Sequence, residues 1–401
     1  MARVRLEFPG KAALFVDDGV LADDLARSAA LPVAAPVRIA FAAAHVVMRA
    51  EYAAVGHTSD RPGAPDELAS FVDLDATLAI RERLAVEGFG IAEAMDTAQR
   101  FEIGWPLASR LIEECGRLRL PQGFVAGASS DHAAAPVDVA TLAVAVAEQC
   151  RFIAGHGGVP VILPMPVLCA WRASAPDYVE VHRRILAATD GPLVLHWLGP
   201  MFLPALQGYF PDDSFDAVLD LAPDRIVGCK LSLLDEALEL RVRRRILPRG
   251  QIVLTGDDFH FGSLMLGGAV ERIGDFAGRR LALGDFSHAL LGILDGCARP
   301  AGLALRLLAQ GETDRAARIL SRCEELGRHV FAEPTRHYKA GLALIAWLDG
   351  WQDRFLLPNH AERARDLAHH LRTVELASAA GVFRDAAATA RRVEELVRTW
   401  I

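Results

Sequence analysis

Eight short apolar segments, separated by stretches with helical periodicity, are the feature that most narrows what this chain can fold into. They run Val37–Val47, Phe89–Gln99, Gly123–His132, Gly158–Pro166, Pro192–Gly199, Arg225–Asp235, Gln251–Asp258 and Phe286–Leu294. Runs rich in Val, Ile, Leu and Ala, bounded by turn residues, suit strands buried on both faces, and such strands lie in parallel sheets. Parallel neighbours cannot be joined by a tight turn, so each pair needs a crossover, which the intervening helical patterns supply. The expected fold is therefore α/β, a (β/α)8 TIM barrel. A doubly wound sheet shares the alternation, but polar residues recur at the carboxyl ends of nearly every segment, where barrel active sites assemble. Residues 1–35 read as a short amino-terminal prelude and 36–298 as the barrel, with an insertion at about 259–285. Residues 299–401 read as a helical carboxyl-terminal extension.

Composition removes several functional classes. A formal net charge of −8 over 401 residues argues against a general nucleic-acid binder. No apolar run approaches the length of a membrane span and the amino terminus lacks a signal-peptide arrangement, so a cytoplasmic protein with no membrane partner is expected. Cys115, Cys150, Cys169, Cys229, Cys297 and Cys323 are scattered without a C-x-x-C pair, which predicts reduced thiols.

Within RIVGCKLSLLD, Arg225–Asp235, one lysine stands near the carboxyl end of a buried strand. Keeping Lys230 charged there is costly, because the surroundings cannot replace the water around an ammonium. A neutral amine can attack a carbonyl carbon and form an imine, which makes Lys230 a candidate covalent catalyst. The bland alternative is a lysine that snorkels to water or pairs with a structural carboxylate. Cys229 beside it points to the opposite face by strand alternation.

The other polar residues at segment ends are His45, Glu93, Asp96, Thr97, Gln99, Ser129, Asp131, His132, His196, Ser232, Asp257, Asp258, His260 and His288. His196 stands out, because its strand precedes that of Lys230 and an imidazole there could carry protons. It could equally be a structural histidine bonded to a loop carbonyl. Dispersed His and Asp residues could also bind a metal, although no H-x-H or H-E-x-x-H motif is present. Gly256-Asp257-Asp258 could supply catalytic carboxylates, but such a turn after a strand is more often turn chemistry or a helix cap. Gly155–Gly158 and Gly267-Gly268 lack phosphate-loop fingerprints and read as loops.

Taken in order, these segments resemble the dihydrodipicolinate synthase and N-acetylneuraminate lyase superfamily of Schiff-base-forming aldolases. VGCKLSLL resembles that family's imine-lysine stretch, LTGDD at Leu254–Asp258 its next strand, and SHALLGIL its last. GRHVFAEPTRHYKAGLALIAWL, Gly327–Leu348, resembles its carboxyl-terminal helices. The resemblance, from Val37 to the end, implies a barrel with Lys230 as the imine lysine. It also exposes departures. The family's strand-five tyrosine falls on His196, the arginine that holds the substrate carboxylate falls near Met201, and the GTTGE loop falls on MDTAQ, which keeps Thr97 and places Asp96 beside it. An anionic Asp96 would repel a 2-keto-acid carboxylate, so the usual clamp is expected to be lost.

The resulting expectation is a lyase of the aldolase type that acts on a small polar carbonyl compound, such as a keto sugar or polyol derivative, with no cofactor or metal. Lys230, His196 and Thr97 would be catalytic; Asp96, Gln99, Glu93, His45, Asp131, Ser232, Asp257 and His288 would bind substrate. The alternatives are a metal-dependent hydrolase or isomerase built on His45, Asp131, His196 and His288, and a non-catalytic ligand-binding barrel. Kinship with such barrels implies a homodimer or homotetramer, and the insertion is expected to form a lid or subunit contact.

Overall fold

The computed structural model describes residues 2–8 and 13–400. Eight parallel strands close into a barrel: β1 (Ala40–Ala43), β2 (Gly90–Glu93), β3 (Phe124–Ala128), β4 (Val159–Ile162), β5 (Leu193–Leu198), β6 (Ile226–Ser232), β7 (Ile252–Thr255) and β8 (His288–Leu291), with β8 pairing β1. Each lies inside the segment expected to hold it, and all eight are shorter than that segment. In the second segment, extension stops where Ala94 adopts φ 50°, and Asp96–Ala98 turns as a short 3-10 helix.

Alternation sorts the strand side chains into two layers. Phe41, Val125, Val161, Val194 and Leu254 point into the barrel, whereas Ala42, Ile91, Ala126, Leu195 and Cys229 face the surrounding helices. The helices begin where their caps dictate. Asp73 accepts from Ala76 N at the start of Leu74–Val86, and Asp138 forms a capping box with Thr141 before Val139–Gly155. Asp235 caps Glu236–Ile246 immediately after the Lys230 strand.

Two segments are placed differently from expectation. The prelude is integrated: a hairpin of Arg3–Leu6 and Leu14–Asp17 docks on the carboxyl-terminal helices, where Asp17 N bonds Ser378 Oγ at 2.9 Å. The insertion is not a lid over the mouth. It forms the hairpin Val270–Phe276 and Arg279–Gly284, whose Phe276, Leu281 and Leu283 join the barrel-interior cluster. Arg279 bonds the carbonyl of Gln122, just before β3, so the hairpin covers the amino-terminal end of the barrel. Among the described residues no helix is long and apolar enough to cross a membrane, and all six cysteines are free thiols.

The carboxyl end of β2 is anchored by a fully buried ion pair. Arg81 grips both oxygens of Glu93, at 2.9 and 3.0 Å, and donates to the carbonyls of His45 and Thr77. The Arg81→Ala variant leaves Glu93 a buried, unpaired carboxylate and is expected to cost about 3–5 kcal/mol, measured by urea denaturation against the parent protein.

Candidate active site

The register of β5 against β6 pairs His196 with Lys230, and that of β6 against β7 pairs Lys230 with Leu254. Inward alternation then turns Lys230 and Ser232 into the barrel near its carboxyl-terminal mouth. Gly256 makes room for them: a Cβ there would sit 2.1 Å from Ser232 Oγ and 2.9 Å from Lys230 Cε. Lys230 is 9% exposed. Burial pulls its ammonium down to about 8, against the opposing pull of Asp258 and Asp96. Asp258, accepting from Ile293 N at 2.9 Å, is itself pushed above the usual carboxylate range by burial. The site thus holds a deprotonatable amine beside a protonatable carboxyl.

His196 Nε2 lies 3.2 Å from Ser232 Oγ, while its buried Nδ1 has no hydrogen-bond partner. Burial, reinforced by the Lys230 charge, holds the ring far below its usual range, so it is a neutral imidazole at pH 7. A second network descends from the carboxyl-terminal region. Thr97 and Tyr338 share a hydrogen bond of 2.9 Å, the Tyr338 hydroxyl donates to Asp96 Oδ2 at 2.9 Å, and Lys339 Nζ stands 2.8 Å from the same oxygen. The Asp96 charge expected to repel an anion is therefore paired with an ammonium. Burial, then the neighbouring Asp96, keeps the Tyr338 phenol protonated.

Asp96, His196 and Lys339 open onto a cavity of about 590 Å³ walled by the β2, β4 and β5 ends and by residues from Thr58–Pro62 and Arg336–Ala364. Asp96, Gln99 and His196 line it; Lys230 is not part of the lining and stands beside His196 in the register of β5 against β6. Gln99 accepts the left-handed φ of 51° that turns the chain into the following helix, and its buried Oε1 is unpartnered.

Five expected substrate ligands are instead held by structural partners. Glu93 is bound by Arg81. His45 is enclosed between Asp295 Oδ2 at 2.5 Å and Gln352 Oε1 at 2.8 Å. Asp131 holds Arg100 at 2.6 Å and Gln149 at 2.9 Å. Asp257 accepts from the Phe259 and His260 amides and faces the His260 ring at 2.9 Å, which is turn chemistry. His288 begins β8 at the wrong end of the barrel, bonded to Ile39 N and the Ala282 carbonyl. Ser129 and His132 belong to the Gln149 network. The four residues of the metal alternative accordingly do not converge, and among the described residues no cluster of three or more His, Cys, Asp or Glu could hold a metal ion.

Tyr338 and Lys339 escaped sequence reasoning, as did the closeness of Asp258 to Lys230. The available signal was the polar, aromatic run TRHYK, Thr335–Lys339, directly before the apolar helix at Lys339–Leu348.

The family model described as a protein of unknown function, DUF993, matches residues 17–400. The chain belongs to the DUF993 family. No curated protein matches the sequence. Among solved structures, this DUF993 member is similar to a dihydrodipicolinate synthase from Acinetobacter baumannii, complexed with pyruvate, at 16% identity and TM-score 0.56, covering 86% of this chain and 100% of that one. It is similar to N-acetylneuraminate lyase from Aliivibrio salmonicida at 16% identity and TM-score 0.54, covering 86% and 97%. A variant of the 2-keto-3-deoxygluconate aldolase of Sulfolobus solfataricus matches at 10% identity and TM-score 0.51, covering 89% and 98%. The shared fold is that of the superfamily the sequence motifs resemble.

A lysine lowered to about 8 becomes neutral as pH rises through that value, whereas an ordinary one stays charged up to its usual value of 10.5. Reductive alkylation of Lys230 by glycolaldehyde and cyanoborohydride, followed by peptide mass mapping, is expected to rise with pH and level off above about 8. Removing the Asp258 charge removes a contribution that raises Lys230, so Asp258→Asn is expected to move this profile to lower pH.

Proposed function

We propose that this protein is a class I lyase of the aldolase type, forming an imine between Lys230 and a small polar carbonyl compound such as a keto sugar or polyol derivative. The observation that carries this reading is a buried, depressed lysine inside the mouth of a barrel, flanked by Asp258 and His196 and backed by a cavity. The fold shared with a synthase, a lyase and an aldolase supports it.

In this reading a substrate displaces the His196 ring to reach the amine. The Lys230 nitrogen adds to the carbonyl carbon, a proton passes from nitrogen to oxygen, and the carbinolamine loses water to give an iminium. Asp258, in its protonated form, is placed to supply the proton that lets water leave. The iminium then withdraws the electron pair of the bond between its α and β carbons as a base takes the proton of the β-hydroxyl. Cleavage releases an aldehyde or ketone and leaves an enamine, which is protonated on carbon and hydrolysed to free the second product and the amine. Thr97 and Tyr338 form the hydroxyl relay suited to moving the β-hydroxyl proton, with Asp96 orienting the phenol. His196, neutral and with one free ring nitrogen, accepts or donates a hydrogen bond to substrate hydroxyls. The chemistry is internal to the chain and asks for no cofactor.

Borohydride reduction in the presence of candidate keto sugars is expected to leave an adduct on the peptide containing Lys230, and none in the Lys230→Ala variant. A turned-over carbonyl substrate that leaves Lys230 unmodified under these conditions would overturn the mechanism.

A further inference from the structure

The cavity has a second chemical end. Opposite the β-strand wall, the carboxyl-terminal region contributes Arg336, Lys339 and Arg363. Lys339 is engaged by Asp96 at 2.8 Å. Arg336 forms no hydrogen bond or ion pair among the described residues. The Arg363 guanidinium faces Glu362 only at 3.7 Å, and that carboxylate already binds the His360 ring at 2.8 Å and Leu357 N at 2.9 Å. The remaining acid on the wall, Glu102, is pushed toward its neutral form by burial. The negative charges of the cavity are therefore matched or diminished, and two arginines are left over. His337, on the same cavity lining, is lowered by burial and then by Arg336, Arg365 and Lys339, which fits a positive field. Two buried polar atoms on the β-strand side of the cavity, Gln99 Oε1 and His196 Nδ1, lack partners and point independently to a polar ligand.

We infer that Arg336 and Arg363 form a subsite for an oxyanion, a carboxylate or a phosphate monoester, carried by the substrate at the end remote from its carbonyl. Guanidinium groups suit this role because their planar forks donate to two oxygens at once. The wall is held in place for it: Asn359 N donates to Tyr52 Oη at 2.9 Å, Asn359 Oδ1 accepts from Gly63 N at 3.0 Å, and the His360 ring bonds the Val55 carbonyl at 2.9 Å. The subsite deepens the imine reading by fixing where the charge of the substrate lies, but anion binding itself needs no imine. It also gives a reason for the paired Asp96 near Lys230: the anion is accommodated away from the reacting carbon.

Isothermal titration of the full chain with succinate and with inorganic phosphate tests the subsite. The parent protein is expected to bind at least one of them, and Arg336→Ala/Arg363→Ala to bind it about tenfold or more weakly with an unchanged melting temperature. Lys230→Ala should bind like the parent. Preference for phosphate assigns a phosphate ester, and preference for succinate a carboxylate. Absence of binding by the parent, or equal affinity in the double variant, overturns the proposal. Arg336→Gln is the second variant if the double one melts early. Borohydride trapping with glyceraldehyde 3-phosphate against glyceraldehyde separates the two readings: anion binding without any adduct on Lys230 sinks the imine and leaves the subsite standing.

Discussion

The desolvation of one ammonium organises this site. Removing an isolated charge from water costs far more than one hydrogen bond returns, and a lysine meets that cost by releasing its proton or by recruiting a carboxylate. Lys230 does both in part. Burial lowers it, and Asp258 and Asp96 limit the fall. An amine lowered to about 8 is roughly a tenth neutral at pH 7, some ~300-fold more than an ordinary lysine supplies. The barrel makes this arrangement possible, because closure puts β5 and β7 on either side of β6 and so sets His196 and the Asp258 turn against the same side chain.

The same arithmetic explains why other polar residues near the mouth are not free to bind substrate. Glu93, His45 and Asp131 are each closed into networks that satisfy their oxygen or nitrogen atoms within the protein. A buried group so satisfied gains little by exchanging its partner for a ligand and leaves that partner orphaned if it does. His196 Nδ1 and Gln99 Oε1 stand in contrast, buried and without partners on the cavity wall. Unmet hydrogen-bonding capacity together with a place on the cavity lining sets these two residues apart.

That distinction marks what the sequence could reveal. The eightfold alternation, the inward turn of Lys230 and the outward turn of Cys229 follow from local periodicity, and all three are present in the fold. The neighbourhood of His196 and Lys230 followed from strand order. His288 was misplaced because β8 begins at this histidine, so a residue read at the mouth lies at the amino end. Glu93, His45 and Asp131 were misread because Arg81, Gln352 and Gln149 come from other elements and no local pattern announces them. Tyr338 was missed for the same reason: more than two hundred positions separate it from its partners Asp96 and Thr97.

The carboxyl-terminal helical region therefore contributes one side of the candidate site. Its helix Lys339–Leu348 is buried at every residue, so the segment leading into it cannot shift without disturbing the core. Tyr338 stacks on Phe331 with ring centroids 4.3 Å apart and meets Phe202, beyond β5, at 6.3 Å. A Cβ added at Gly292, immediately after β8, would lie 3.3 Å from the Tyr338 ring and 3.5 Å from Thr97 Oγ1. The next residue, Ile293, donates its N–H to Asp258. One short turn thus sets the tyrosine, the threonine and the carboxyl in a fixed relation, and the preorganisation that proton transfer requires is delivered by core packing.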